Sequence, residues 1–216
     1  AITTDKEIIR QHQQTRSASI SQRHIVHAVC SRWRRGEPLP AAQISNRDPE
    51  QFVQGIATTG LSSLGGNRSA ARGKFRSILA QHFAVDAIGD RLIRRWRGKI
   101  TPAQYQAYKA AFPTFIIGTY ADRLYPYANA NVKVVRTQNQ GNNAAVLTQI
   151  TKPGARPMNV IWTLIRTGGG YKVSNLNVGG VNVAMPQQAD FDSYIQHNGF
   201  DRLIALQPQE IQVGIL

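Results

Sequence analysis

The side chains able to do chemistry are few and dispersed. The histidines are His12, His24, His27, His82 and His197. His24 and His27 stand three apart, a spacing that puts two imidazoles on one helix face. Two ligands with no carboxylate beside them fall short of a zinc site. Cys30 is the single cysteine, in HAVCSRW, so no internal disulfide or CxxC site is available, and it reads as an idle thiol. His82, beside Phe83, reads as a hydrogen-bonded core histidine. Asp190 and Asp192 stand near what reads as a helix start. Two apart, they point in different directions and favour the helix dipole rather than forming an acid–base pair. Gly168 to Gly170 look like a phosphate cradle but lie between strand-like runs, which makes them a hairpin turn. No GxxxxGK(S/T), HExxH or GxSxG occurs. These residues predict no catalytic centre, no metal and no cofactor.

Charge is the other chemical resource. The net charge is +14, with the excess of arginine concentrated in the first hundred residues. Such a field attracts nucleic acid, anionic lipid or an acidic protein. The densest run is 91-RLIRRWRGK-99. Arginine beside Trp96 suits phosphate pairing and base stacking. As a helix, the same run turns Leu92 and Trp96 inward and Arg91, Arg94, Arg95 and Arg97 outward, a solvated face available to anions. No RRM, KH or helix-turn-helix signature accompanies it.

The elements that must position these residues are legible from caps and periods. In 48-DPEQFVQGIATTGLSSL-64, Asp48 caps, Pro49 takes the first helical position and Gln51 the third. Phe52, Ile56 and Leu64 give the apolar spacing, and GGN ends the helix. The segment 69-SAARGKFRSILAQHFAVDAIGDRLIRRWRG-98 predicts two helices or one bent helix. One stripe is Phe75, Ile78, Leu79 and Phe83; the next is Ile88, Leu92 and Trp96. A long helix follows, 99-KITPAQYQAYKAAFPTFIIGTYADRLYPYA-128. Thr101, Pro102 and Gln104 form its capping box. Its stripe is Tyr105, Tyr108, Phe112, Phe115, Ile116, Thr119, Tyr120 and Leu124, with Pro113 inside it, where a backbone hydrogen bond is lost.

Beyond Tyr127 the period becomes two. Strands are predicted at 131–137, 144–151, 158–166 and 170–183, separated by QGNN, KPGARP and TGGG. Gly179 and Gly180 suggest a bulge or bend in the last. A closing helix spans 186–207, interrupted at Gly199. Short connections favour an antiparallel meander. Helices followed by a meander predict an α+β fold with helices on one face of a curved antiparallel sheet. The strand 158-MNVIWTLIR-166 is apolar on both parities: Met158, Val160, Trp162 and Leu164 on one, Ile161 and Ile165 on the other. That excess fits either a thick core or the lining of an internal pocket.

At 216 residues and 42% apolar composition the chain suits a folded soluble protein. Residues 1–46, basic and polar, read as an extension with a short apolar spacing at Ile25, Val29 and Trp33; residues 47–216 read as the folded domain. The longest apolar run, PTFIIGTY, is far below the roughly 18 residues of a membrane span. AITTDKEIIRQHQQ contains no signal-peptide core, so the chain reads as cytoplasmic or as a mature, processed form.

The order of these features carries a family resemblance. It runs from 83-FAVDAIG-89 through Trp96, TPAQ at 101–104 and TYADRL at 119–124 to the GARP turn at 154–157. GYKV at 170–173 leads into VGGV at 178–181, and 191-FDSYIQHNGFDRLIAL-206 closes it. The set resembles the MlaC family of periplasmic phospholipid-binding proteins, also called toluene-tolerance proteins. It is similar in particular to the alphaproteobacterial branch that includes the hopanoid-associated HpnM proteins. The likeness covers roughly residues 48–207. It departs at Ala84 and Asn175, where the family has Asp, and at Gly179-Gly180-Val181-Asn182, where it has Glu-Gly-Val-Ser.

The resemblance implies a periplasmic carrier whose export signal has been removed. Its fold would be an NTF2-like cone holding lipid tails in an apolar pocket between sheet and helices. On this basis the pocket would be lined by Phe83, Ile88, Leu92, Tyr108, Phe112, Phe115, Ile116 and Tyr120. From the strands it would take Val134, Val146, Val160, Trp162, Leu164, Val173, Leu176 and Val178. Its cargo would be phospholipid or a hopanoid-type lipid. Its partners would be a membrane-embedded lipid ABC transporter and an outer-membrane lipoprotein complex, with the protein itself a monomer, not an enzyme and without nucleic acid. The competing readings are a nucleic-acid module built on Arg91 to Lys99 and an enzyme in a cone-shaped fold.

Overall fold

The chain divides after Gln43 into two units, and a computed structural model describes residues 44–206. Cys30, His12, His24, His27 and the Ile25, Val29 and Trp33 spacing lie outside the described residues. Ile44 and Asn46, expected in the extension, belong to the second unit. The Asn46 amide donates to the Gly169 carbonyl, and the Asn46 carbonyl accepts from Tyr171 N at 3.0 Å.

Helix α1 spans Pro49–Ser63 and begins as expected, with Asp48 accepting from Gln51 N at 2.8 Å. Helix α2, Arg68–His82, is capped by Asn67, which accepts from Ser69 N. Helix α3 is short, Val85–Leu92. Turns follow it, so 93–99 is not the helical face read from the sequence. The long helix α4, Pro102–Leu124, carries the complete capping box: Gln104 N donates to Thr101 Oγ1 at 3.2 Å and Thr101 N donates to Gln104 Oε1 at 3.0 Å. The helix continues through Pro113, whose missing N–H leaves the Lys109 carbonyl without its usual donor. No helix among the described residues is long and apolar enough to cross a membrane.

The sheet is an antiparallel meander in sequence order. Its strands are β1 Asn131–Gln140, β2 Asn143–Thr151, β3 Met158–Thr167, β4 Gly170–Val178 and β5 Val181–Asn182. The fourth predicted run is therefore two strands. Gly179 and Gly180 have φ of 59° and 92° and pair Val178 with Val181 across a two-residue hairpin turn. In place of the expected bulge or bend, two adjacent positive-φ residues reverse the chain. Register shifts at Val134/Arg136 and Thr163/Leu164 add local twist and curvature. Helix α5, Ala184–Asn198, and the short α6, Phe200–Ile204, close the fold around Gly199 at φ 84°. Asp190 and Asp192 thus sit inside α5, not at its start.

One face of the sheet is covered. Along β3, Val160, Trp162 and Leu164 are buried while Ile161 is 41% exposed. The strand is therefore one-sided, with Ile161 exposed and Ile165 partly covered on its second apolar parity. Phe52, Val53 and Ile56 of α1 join Val146, Val160, Trp162, Leu164 and Val173 in the sheet-side core. A second core joins Leu92 and Ile93 to Tyr108, Phe112 and Phe115 of α4 and to Phe191, Ile195, Phe200 and Leu203. Helices α3 and α4 approach closely at Gly89, where an added Cβ would lie 3.0 Å from Cδ1 of Phe112. The Gly89 carbonyl accepts from the buried Tyr108 hydroxyl at 3.0 Å. Burial, with Asp90 nearby, holds that phenol far above its ordinary pKa and therefore neutral. Gly89→Val is expected to destabilise the fold by about 1–3 kcal/mol through overpacking, read as a lowered urea midpoint. An unchanged midpoint would show that this helix contact is loose.

Candidate functional site

The covered face and the helices do not meet everywhere. They enclose a cavity of about 220 Å³, open to solvent. Its sheet wall is Ile150 of β2, Met158, Val160 and Trp162 of β3, and Val173, Leu176 and Val178 of β4. Its helical wall is a row spaced by four along α4, Phe112, Ile116, Tyr120 and Leu124, which follows one stripe of the helix. Ile56 and Leu61 of α1, Leu64 at its C-cap, Phe75, Ile78 and Leu79 of α2, and Phe83, Val85, Ile88 and Leu92 line it as well. Val183, Ala184 and Gln187 enter from the start of α5.

The polar groups at this wall are mostly committed. Trp162 Nε1 donates to Thr148 Oγ1 at 3.0 Å, and that hydroxyl donates to the Val160 carbonyl at 3.4 Å. The indole is thereby fixed against β2. Ser174 Oγ donates to the Thr163 carbonyl at 3.2 Å, and its own carbonyl accepts from Arg91 Nη1 at 3.3 Å. No charged side chain lines the cavity among the described residues. Such a space suits an apolar guest. No group of three or more His, Cys, Asp or Glu is placed to hold a metal among the described residues.

A model of the MlaC protein family matches residues 51–206. The chain belongs to the MlaC family. The toluene tolerance protein ttg2D of Pseudomonas putida is 26% identical over 172 residues, spanning 76% of this chain and 80% of that protein. A phospholipid-binding protein from Ralstonia solanacearum, solved in complex with a phospholipid, shares the fold with a TM-score of 0.62 at 19% identity. The match covers 73% of this chain and 93% of that one.

Within this MlaC fold, most of the expected lining residues come together: Phe83, Ile88, Leu92, Phe112, Ile116, Tyr120, Val160, Trp162, Val173, Leu176 and Val178. Five do not. Tyr108 and Phe115 lie on another side of α4, in the helical core, beside a crevice of about 20 Å³. Val134, Val146 and Leu164 belong to or pack against the sheet-side core, where α1 lies against β1 and β2 and seals the sheet. The α1 and α2 residues of the wall were not anticipated as lining. Their helical spacing marked them as buried, and spacing does not distinguish a filled core from a hollow one.

The arginine run is also rearranged. Arg91 turns toward β4 rather than outward. The Arg97 guanidinium stacks on Tyr105 at 3.3 Å from the ring centre, 3.9 Å from Asp90, whose carboxylate accepts from Tyr105 Oη at 2.8 Å. Lys109 pairs with Asp86 at 3.1 Å, a hydrogen bond that raises the pKa of its ammonium. Arg94 and Arg95 remain exposed. Trp96 faces α5, donating from Nε1 to Asp192 at 2.7 Å, while burial raises the pKa of the neighbouring Asp190. His82 is half-buried with its ring edge on Phe52, and burial, then Lys172, lowers its pKa. The Asp86, Asp90 and Trp96 contacts tie α3, α4 and α5 together, and the His82 contact joins α2 to α1.

An apolar cavity of this size should admit a small apolar guest. Benzene is expected to raise the thermal midpoint of the parent protein. It should leave the midpoint of Ile116→Trp unchanged, since the indole would occupy the same volume. Equal shifts in both proteins would mean that the guest binds elsewhere.

Proposed function

We propose that this protein is a periplasmic lipid carrier that holds acyl tails in the cavity and passes lipid between membranes. The single observation that carries the reading is an apolar cavity walled by both the sheet and the helices. The phospholipid complex of the Ralstonia solanacearum protein, which shares the fold, and the toluene tolerance protein among the relatives support it. Each CH₂ exposed to water costs about 0.8 kcal/mol, so a bare two-tailed lipid faces a barrier on the order of 20 kcal/mol. A greasy pocket exchanges one apolar environment for another, so transfer is nearly isoenergetic and reversible. The carrier then needs neither a catalytic residue nor a nucleotide, and direction comes from its partners. On this reading those are a membrane-embedded ABC-type lipid transporter and an outer-membrane lipoprotein complex, which a monomer visits in turn. On this reading the carrier domain begins at Ile44, and the residues before it are a basic extension. A hopanoid-type lipid is the alternative cargo.

Acyl tails are long for this cavity, so on this reading the helical wall moves outward as lipid loads. Phe112, Ile116 and Leu124 of α4 present apolar side chains to the cavity, which part without breaking hydrogen bonds, whereas α1 is tied to β1 by Gln54 Nε2 donating to the Val132 carbonyl at 3.0 Å. Native mass spectrometry of freshly purified protein, with organic extraction, is expected to show one bound lipid. Val160→Trp should remain folded by circular dichroism and lose most of that occupancy. Full occupancy in this variant would place the lipid elsewhere, and a protein that takes up no lipid from vesicles would overturn the carrier reading.

A further inference from the structure

One buried polar atom of the cavity wall has no partner among the described residues. Gln187 of α5 lines the cavity and is 1% exposed. Its Oε1 accepts from the Tyr120 hydroxyl at 3.3 Å, while its Nε2 is buried without a hydrogen bond. The other unpaired buried side-chain atoms, on Thr119, Tyr125, Thr137 and Asn177, belong to residues outside this wall. Unpaired amide donors are rare in native interiors. Here the orphan stands beside a space that a ligand can enter.

We propose that the Gln187 amide is a recognition group that donates a hydrogen bond to the ester carbonyl of an acyl lipid. The inference rests on the carrier reading and adds the chemical class of the cargo. The donor calls for an oxygen acceptor. No cation lines the cavity among the described residues, so a carboxylate would be buried without compensation, and a neutral carbonyl fits instead. Tyr120 engages the amide oxygen and leaves the NH₂ as the free half. The terminal amide torsion of glutamine is soft, so a small rotation brings an N–H to the cavity surface once the wall moves. Ester carbonyls sit where tails meet the headgroup. Gln187 therefore sets how deep the tails enter, with the headgroup directed to the solvent-open side.

The full-length protein, stripped of lipid, would be offered equal amounts of diacyl phosphatidylglycerol and its dialkyl-ether counterpart of the same chain length. Bound species are counted by native mass spectrometry. The parent is expected to favour the diacyl lipid about three- to tenfold, the size of one net hydrogen bond. Gln187→Met should load both lipids without preference. No preference in the parent, or a preference that survives in the variant, overturns the proposal and leaves the carrier reading standing. Failure of the parent to load either lipid overturns the carrier reading itself. Should Gln187→Met not fold, the side-chain amide NMR signals of Gln187 in the parent decide the matter. They should shift on loading the diacyl lipid and not the ether, and equal shifts with both would overturn the assignment.

Discussion

The long helix α4 must satisfy three different neighbours, and the rest of the structure is arranged around that demand. Tyr108 and Phe115 face the helical core built with α5 and α6. Ile117 and Ala121 face Leu79 of α2. Ile116, Tyr120 and Leu124 line the cavity opposite the sheet, and Phe112 reaches it from the helical core. A helix held on two sides cannot collapse onto the third. The hollow is therefore a consequence of where α4 is anchored, rather than of missing apolar side chains opposite it.

The anchoring is strongest at the end of α4 nearest its capping box. There Gly89 admits the Phe112 ring, Tyr108 bonds to the Gly89 carbonyl, and Tyr105 is engaged by Arg97 and Asp90. Gln104 Nε2 also donates to Asp201 of α6 at 2.8 Å. Toward Leu124 the packing is mainly apolar and borders the cavity, with the Tyr120 hydroxyl donating to Gln187 of α5 at 3.3 Å. Pro113 falls between these halves and removes one backbone bond where the helix passes from fixed to cavity-facing. Rigid polar attachment at one end and apolar contact at the other give a wall that can yield while its base stays in place.

The basic surface has a related division. Arginines that look interchangeable in the run 91–99 have separate duties, because helix α3 ends at Leu92 and the chain then turns. Arg91 holds β4, Arg97 covers Tyr105, and Arg94 and Arg95 face solvent. The positive field of the chain attracts anions in general, and only part of this run is available to them.

Local chemistry made much of the fold legible. Asp48-Pro49-Gln51 and Thr101-Pro102-Gln104 mark helix starts because their side chains satisfy free backbone donors within one turn. Strand periods and turn residues determine the meander for the same reason, since each pairing lies next to its neighbour in sequence. The ordered motifs pointed to the family. What the sequence could not show was where apolar residues meet and where they leave space. Ile161 looked internal and is exposed. Tyr108 and Phe115 looked like lining and are core. Ile56, Phe75 and Ile78 looked like core and line the cavity. Burial is a property of one residue and its period, whereas a cavity is a mismatch between distant surfaces. Only the tertiary packing of α4 against three partners decides it, and it likewise leaves the Gln187 Nε2 beside that cavity without a hydrogen bond.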